Sequence, residues 1–451
     1  MTSRADPPAA DALNAGVIEA ALPANAAGLV VAFSGGVDST VLLHLAAQVE
    51  RPVRAVHVHH GLHEQADHWA AHCRRTGERL GITVDTRTIS IDRRGDGIEA
   101  AARADRYRVL GEALQADECL LTAHHADDQL ETLLYRLLRG TGPAGLAGIQ
   151  PAMPLGPGWL IRPLLAVSRA QLEAHARRHG LSWIDDPGNA SLDHDRNYLR
   201  HRVIPAIEAR WPRANAAAVR LATHAREQGR LTDRLLRDRR QCGSTAGDGP
   251  LAVTDCASGD DVLDRAMLRA WIRDGGQRPP GARRLAAGQA ALVSAAQDRD
   301  PVLAWSAFAV RRHRGWLFRL PRPLPAVPTP SQVPPGRARE AWGDLGEVFW
   351  SPALAEPLWL RVPHAGERIA LSGRRRGSIR ELQRERGVPP WWRDRLPALV
   401  DEHDRCLAVA GLGTTRIGAE RAGDATGIGL DFAPRPLANG PDWQRLFAPA
   451  A

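Results

Sequence analysis

The chain has 451 residues, 44% of them hydrophobic, enough for about two to four domains with ample core. No apolar run approaches the length of a membrane span and no secretory leader pattern opens the chain. Five scattered cysteines (Cys73, Cys119, Cys242, Cys256 and Cys406) form no C-x-x-C, which excludes a zinc ribbon or dithiol motif and fits a reduced cytoplasmic setting. Lysine is absent, so all 59 basic residues are arginine, and the sequence pI of about 10.1 is weak testimony for any partner.

Residues 1–28 are Ala-rich and polar, a loose lead-in. The apolar run Leu29–Phe33 reads as a buried parallel strand. Ser34-Gly35-Gly36-Val37-Asp38-Ser39 follows, and then apolar residues at helical spacing up to Val49. A strand, a glycine turn and a helix N-terminus in that order make an anion site suited to phosphate. Asp38 is out of place beside phosphate unless a cation bridges the two, which points to a nucleotide held with Mg²⁺. The plainer reading is a glycine turn with a serine cap. The loop lacks the lysine of a Walker motif and the spacing of a dinucleotide fold.

Strands are expected at 53–58, 82–91, 119–123 and 159–165, with helices at 64–80, 98–114, 127–138 and 168–179, the last capped by Ser168 and ended by Gly180. Repeated strand–helix units predict an α/β, doubly wound parallel sheet whose ligands sit at the carboxyl ends of its strands. The Ser34 loop, His57–His60 and His124–Asp128 all lie at such ends, so they should converge. In Thr122–Thr132, His124 and Asp128 are spaced i,i+4, as are Asp127 and Glu131, and each pair shares a face if the helix starts early enough. Acids in a first turn suit the helix dipole, but hard oxygen ligands beside a nucleotide loop also suit Mg²⁺.

From about residue 214 the texture becomes Ala/Arg-rich and helical, and Pro321–Pro335 carries seven prolines. The expected division is a catalytic domain at 1–213, a mostly helical middle domain at 214–320, a Pro-rich linker at 321–340 and a small basic α+β domain at 341–451. Arg368–Arg395 holds nine arginines against three acids, a net charge of +6 where the whole chain has +8. Such a stretch has the footprint of a nucleic-acid backbone contact, although a solvated helix face gives the same composition.

The loop resembles the pyrophosphate-binding loop of ATP pyrophosphatases. The ordered set of motifs is more specific: SGGVDST at 34–40, HVHHGL at 57–62, AARADRY at 101–107, TAHHADDQLET at 122–132, LLRGTGPAGLAGI at 137–149, RPLL at 162–165, DDPGN at 185–189, DRNYLR at 195–200 and GVPPWWRDRLPALV at 387–400. Together they resemble the tRNA(Ile)-lysidine synthases. That resemblance implies an enzyme using ATP and Mg²⁺ to join free L-lysine to C2 of the first anticodon cytidine of the CAU-anticodon isoleucine tRNA. The cytidine O2 is adenylated first, and AMP and pyrophosphate are released.

It further implies that Ser34, Gly35, Gly36, Val37, Asp38 and Ser39 bind ATP, and that Asp38, Arg103 and Asp127 are catalytic. Asp38, Asp127 and Asp128 become candidates for the metal. Arg103 and Arg106 lie i,i+3 on one helix, either facing the α-phosphate or as a surface pair. Arg136, Arg139, Arg196, Arg200, Arg374, Arg375, Arg376, Trp391, Trp392 and Arg393 are candidate tRNA contacts, with core packing the competing role for the tryptophans. The lysine pocket is not legible, and the oligomeric state stays open, a homodimer included. The competing functions are a tRNA thiolase, which the absence of C-x-x-C disfavours, a nucleotide-sensing RNA-binding protein, and a metal-dependent hydrolase built on His57, His59, His124 and Asp127.

Overall fold

The computed structural model describes residues 13–59, 61, 64–88, 98–185, 195–241, 249–296, 299–352, 356–372, 376–422 and 428–434, with backbone alone at 98–104, 241, 433 and 434. The chain forms two compact units, Met1–Leu231 and Thr232–Ala451.

In the first unit, α1 (Gly16–Glu19) precedes β1 (Gly28–Ala32), α2 (Val37–Ala46), β2 (Val53–His59), α3 (Ala66–Leu80) and β3 (Thr83–Thr88). Then come α4 (Ile98–Glu112), β4 (Glu118–Leu121), α5 (Ala126–Leu138), the hairpin of β5 (Ala152–Leu155) and β6 (Gly158–Ile161), and α6 (Arg169–Arg178). The sheet runs β3-β2-β1-β4-β6-β5, parallel except where β5 meets β6. Leu29, Val30 and Val31 of β1 are fully buried, which requires cover on both faces. One face packs Leu29, Val31, Val41, Leu42, Leu45 and Leu172, and the other packs Val30, Val56, Leu110 and Leu120. Burying each such side chain contributes about 1.5–3 kcal/mol.

Strand order reverses between β1 and β4, so the crevice beyond their carboxyl ends lies at the topological switch point. β5 escapes the sequence reading because Pro154 sits within it, tolerated only at an edge, and because its turn places Gly156 at φ +55° against the backbone of Gly111. The unit ends with α7 (Asp195–Tyr198), a π-helical turn at Leu199–Val203, α8 (Ile204–Arg210) and the long α9 (Ala214–Gln241), which runs across the unit boundary.

The second unit carries helices Asp261–Asp274 and Ala282–Ser294 against a four-stranded antiparallel sheet of Leu251–Ala252, Trp316–Pro321, Phe308–His313 and Val302–Trp305. The helical texture therefore holds for the first part of this region, and strands complete it. Their hairpins turn on Ser306 (φ 43°) and on Arg314–Gly315 (φ 46° and 81°), a conformation that composition alone does not announce. Beyond them stand a five-stranded and a three-stranded antiparallel sheet. The Pro-rich stretch is built into this body: Val333 is buried, Leu324 packs on the same core, and Arg395 Nε donates to the carbonyl of Pro325 at 3.2 Å.

Candidate active site

Gly36 N-caps α2, and Gly35 takes φ +87° with Ile184 and Cys73 packed where a Cβ would project. Only glycine turns there without strain. The Ser34 and Ser39 hydroxyls lie 3.0 Å apart across the loop. Val37 sends its side chain into the core, so what it offers a phosphate is its backbone N–H at the start of the helix. Beneath the loop, His57 Nδ1 hydrogen-bonds the Phe33 carbonyl at 2.9 Å, and Ile184 N donates to Gly35 O at 2.9 Å. Four loop features, namely a glycine turn, two hydroxyls, free helix N–H groups and an acid, thus share one small space.

Asp38 sits in the first turn of α2 with one carboxylate oxygen, Oδ1, buried and without a hydrogen-bond partner. An orphaned buried carboxylate oxygen is costly, and a bound cation would satisfy it. Its other oxygen lies 3.6 Å from His125 Nε2 and 4.0 Å from Arg169 Nη1.

His125 is the hub. It N-caps α5 and lies 3.4 Å from Asp127 and 3.5 Å from Asp128 as well as beside Asp38. Burial works against charge on the ring, but the carboxylates of Asp127, Asp38 and Asp128 around it raise its pKa to about 10. The three surrounding carboxylates thus favour the charged form of the ring. Burial likewise opposes charge on Asp127, yet His125 and the backbone N–H of Arg169, donating to Oδ2 at 2.9 Å, hold its carboxyl below the usual range. Asp128 accepts the backbone N–H of His125 at 3.0 Å through Oδ2 and meets Arg200 through Oδ1 at 3.4 Å. Glu131 is buried, which pushes its carboxyl up, and Arg200 holds it at 2.7 Å.

Several expected residues take other places. His124 precedes α5 and bonds Thr122 at 3.0 Å, so it shares no helix face with Asp128. Arg136 donates to the carbonyls of Gly145 and Gly148 and pins the following turn, while Arg200 is engaged with Glu131 and Asp128. Arg139 is exposed and stacks on Tyr135, as does Arg196. Trp391 and Trp392 are 4% and 2% exposed, packed in the core of the second unit. Base stacking is corrected there, because a ring enclosed on both faces has none to offer a base. Arg393 lies in a guanidinium cluster with Arg384, Arg314 and Arg380, and burial with these like charges lowers its pKa. Arg376 is exposed; the Arg103 side chain, Arg374 and Arg375 lie outside the described residues.

Asp38 with its orphaned oxygen fits Mg²⁺, which takes one or two carboxylates and completes its shell with phosphate and water. Among the described residues no three His, Cys, Asp or Glu side chains are arranged as a protein-only metal cage. His57 and His59 on β2 and His124 beyond β4 stand on strands separated by β1, which weakens the hydrolase reading. Cys73 is fully buried and its thiol is pushed up to about 12 by that burial, a poor sulfur nucleophile. No helix among the described residues is long and apolar enough to cross a membrane.

His125, Arg169, Glu131 and Ile184 are the members that the sequence reading did not assign. Ser168, read as a helix cap just past the last parallel strand, was the available signal for Arg169, since a helix starting at that edge aims its N-terminus at the crevice.

A parallel sheet opened at its switch point by a glycine loop that presents backbone N–H groups defines a PP-loop nucleotide-binding protein, and residues 11–207 match the PP-loop domain family. Residues 251–318 match the TilS substrate binding domain and 358–430 the TilS substrate C-terminal domain. The chain is 42% identical over 425 residues to the tRNA(Ile)-lysidine synthase of Alkalilimnicola ehrlichii, covering 88% of this chain and 92% of that one. It is 37% identical to that of Pectobacterium atrosepticum and 40% identical to that of Pseudomonas aeruginosa, each over 88% of this chain and 93% of the relative. The chain belongs to the tRNA(Ile)-lysidine synthases, a family of ligases.

Proposed function

We propose that this chain uses ATP to join L-lysine to C2 of the first anticodon cytidine of a CAU-anticodon isoleucine tRNA. The observation that carries this reading is the meeting of the PP-loop with Asp38, His125 and Asp127 in one crevice, in a chain aligned along most of its length with named lysidine synthases. In the first step the cytidine O2 attacks the α-phosphorus and pyrophosphate leaves. In the second, the lysine ε-amine attacks C2, the C2–O2 bond breaks, AMP departs with that oxygen, and the amine proton is lost. A carbonyl oxygen leaves poorly and AMP leaves well, which is why ATP is consumed.

Ser34, Gly35, Gly36, Val37 and Ser39 would hold the phosphates, through hydroxyls and backbone N–H groups. Asp38, with Asp127 beside it, would hold Mg²⁺, which when bound neutralises phosphate charge. Asp128 commits both oxygens to His125 and Arg200, so it orders the site. The exposed Arg139, the half-buried Arg196 and the cluster around Arg393 would meet the tRNA backbone. A cytoplasmic setting, where ATP, lysine and tRNA meet, belongs to this reading.

The test is transfer of labelled L-lysine onto a CAU-anticodon isoleucine tRNA transcript, with methionine tRNA as control. Label on the first alone is expected. AMP release without label would call for another nucleophile, and neither product would reduce the chain to a nucleotide-binding fold with RNA-binding domains.

A further inference from the structure

We propose that Arg169 is a phosphate-contacting residue for the nucleotide, supplying a mobile positive charge beside the PP-loop. The inference rests on the reading that the loop binds ATP. The chain contains no lysine, so a side-chain cation at the triphosphate must be arginine or a charged histidine. Among the described residues two such groups come within 4.0 Å of Asp38, His125 and Arg169. The His125 side chain is 5% exposed and ringed by Asp38, Asp127 and Asp128, so its charge is already matched. The Arg169 side chain is 43% exposed.

Its placement is built rather than incidental. Arg169 is the first residue of α6, directly after the cap Ser168, whose hydroxyl accepts the Gln171 N–H. Its own backbone N–H is fixed on Asp127 Oδ2 at 2.9 Å, so the Cα is anchored at the crevice. Among the described residues the guanidinium is hydrogen-bonded at one point, Nε to Glu173 Oε1 at 3.2 Å, and Glu173 is shared with Arg177 at 2.9 Å. The 4.0 Å separation from Asp38 is an ion pair at its outer limit, not a hydrogen bond. The terminal nitrogens therefore keep donors available, in a planar fork matched to phosphate oxygens. A guanidinium wholly committed to Asp38 would be structural; one parked beside it is available to an incoming anion.

The test uses the full chain with Arg169→Ala, Arg169→Gln and Arg169→Lys. Gln keeps part of the stem and a hydrogen bond to Glu173, so it stays informative if the Ala variant folds poorly. Binding of ATP with Mg²⁺, of adenosine and of tRNA is measured alongside Tm. Removing a charge-assisted hydrogen bond predicts ATP binding weakened about ten- to a hundredfold in the Ala and Gln variants, with Lys between these and the wild type. Adenosine and tRNA binding should be unchanged, because adenosine has no phosphate and the guanidinium faces the loop. ATP affinity equal to wild type would overturn the proposal. So would an equal loss of ATP and adenosine binding with a lowered Tm, which marks a helix anchor, and so would a loss confined to tRNA. A wild-type chain that binds no ATP would instead overturn the PP-loop reading on which the inference stands.

Discussion

Asp38 combines two demands that conflict without a cation: a position in the first turn of the phosphate-facing helix, and a buried oxygen with no donor. Asp38→Asn keeps the shape and removes the charge. AMP release should be abolished while tRNA binding persists, read by nucleotide chromatography and filter binding; near-wild-type turnover would refute the metal role. Gly35 is constrained differently. At φ +87° an alanine costs about 1–2 kcal/mol from its backbone alone, before its Cβ meets Ile184 Cδ1 at 2.6 Å. Gly35→Ala should lower Tm and weaken ATP binding together, by calorimetry and titration. The glycine and the acid were legible in the sequence because their chemistry is local. His125 was not, because burial and the carboxylate of Asp38, 87 residues earlier in the chain, join its local acids in setting the charge of the ring.

At the scale of elements, α2 and α6 pack side by side and bring His44 against His175 (Nδ1 to Nε2 3.1 Å) and both against His179. Burial first, then the neighbouring histidines and Arg178, lowers the His175 pKa to about 4; burial and His179 lower that of His44. Both folded values lie below the unfolded value of about 6.5, so the unfolded chain binds more protons in that window. Stability should be full above about pH 6.5 and fall as pH drops toward 4, seen in urea midpoints. His175→Gln should flatten that dependence; an unchanged profile would refute the assignment. In the second unit the buried pair Trp391 and Trp392 anchors the core against Phe318 and Phe432. Trp391→Ala should destabilise by about 3–5 kcal/mol, whereas Trp391→Leu, which keeps apolar bulk without an aromatic face, should retain tRNA affinity, which a stacking role would not allow.

Across the whole molecule, Arg368–Arg395 carries a net charge of +6 where the chain has +8. Arg376, Arg384 and Arg386 are exposed, and Arg384 neighbours Arg314 and Arg393. Replacing these three exposed arginines by alanine should weaken tRNA binding, with the slope of log K against log salt reduced by about one unit for each phosphate that the protein no longer neutralises. An unchanged slope would make the run a solvated face. The change of texture near residue 214 coincides with the start of α9, whereas the compact units divide within that helix, and the strands at 302–321 were hidden because they turn on positive-φ residues inside an Ala/Arg-rich background.

By itself the sequence determined the parallel sheet, the loop after its first strand, the family and the class of chemistry, because buried strands, glycine turns and helix starts are written in contiguous residues. The tertiary structure decided which charges meet. It placed the His125 ring among three carboxylates, engaged Arg136 and Arg200 with internal partners, buried the tryptophans and set Arg169 beside Asp38 of the loop. Those outcomes depend on distances between residues far apart in the chain, and electrostatic energy is fixed by such distances and by burial, neither of which a linear pattern contains.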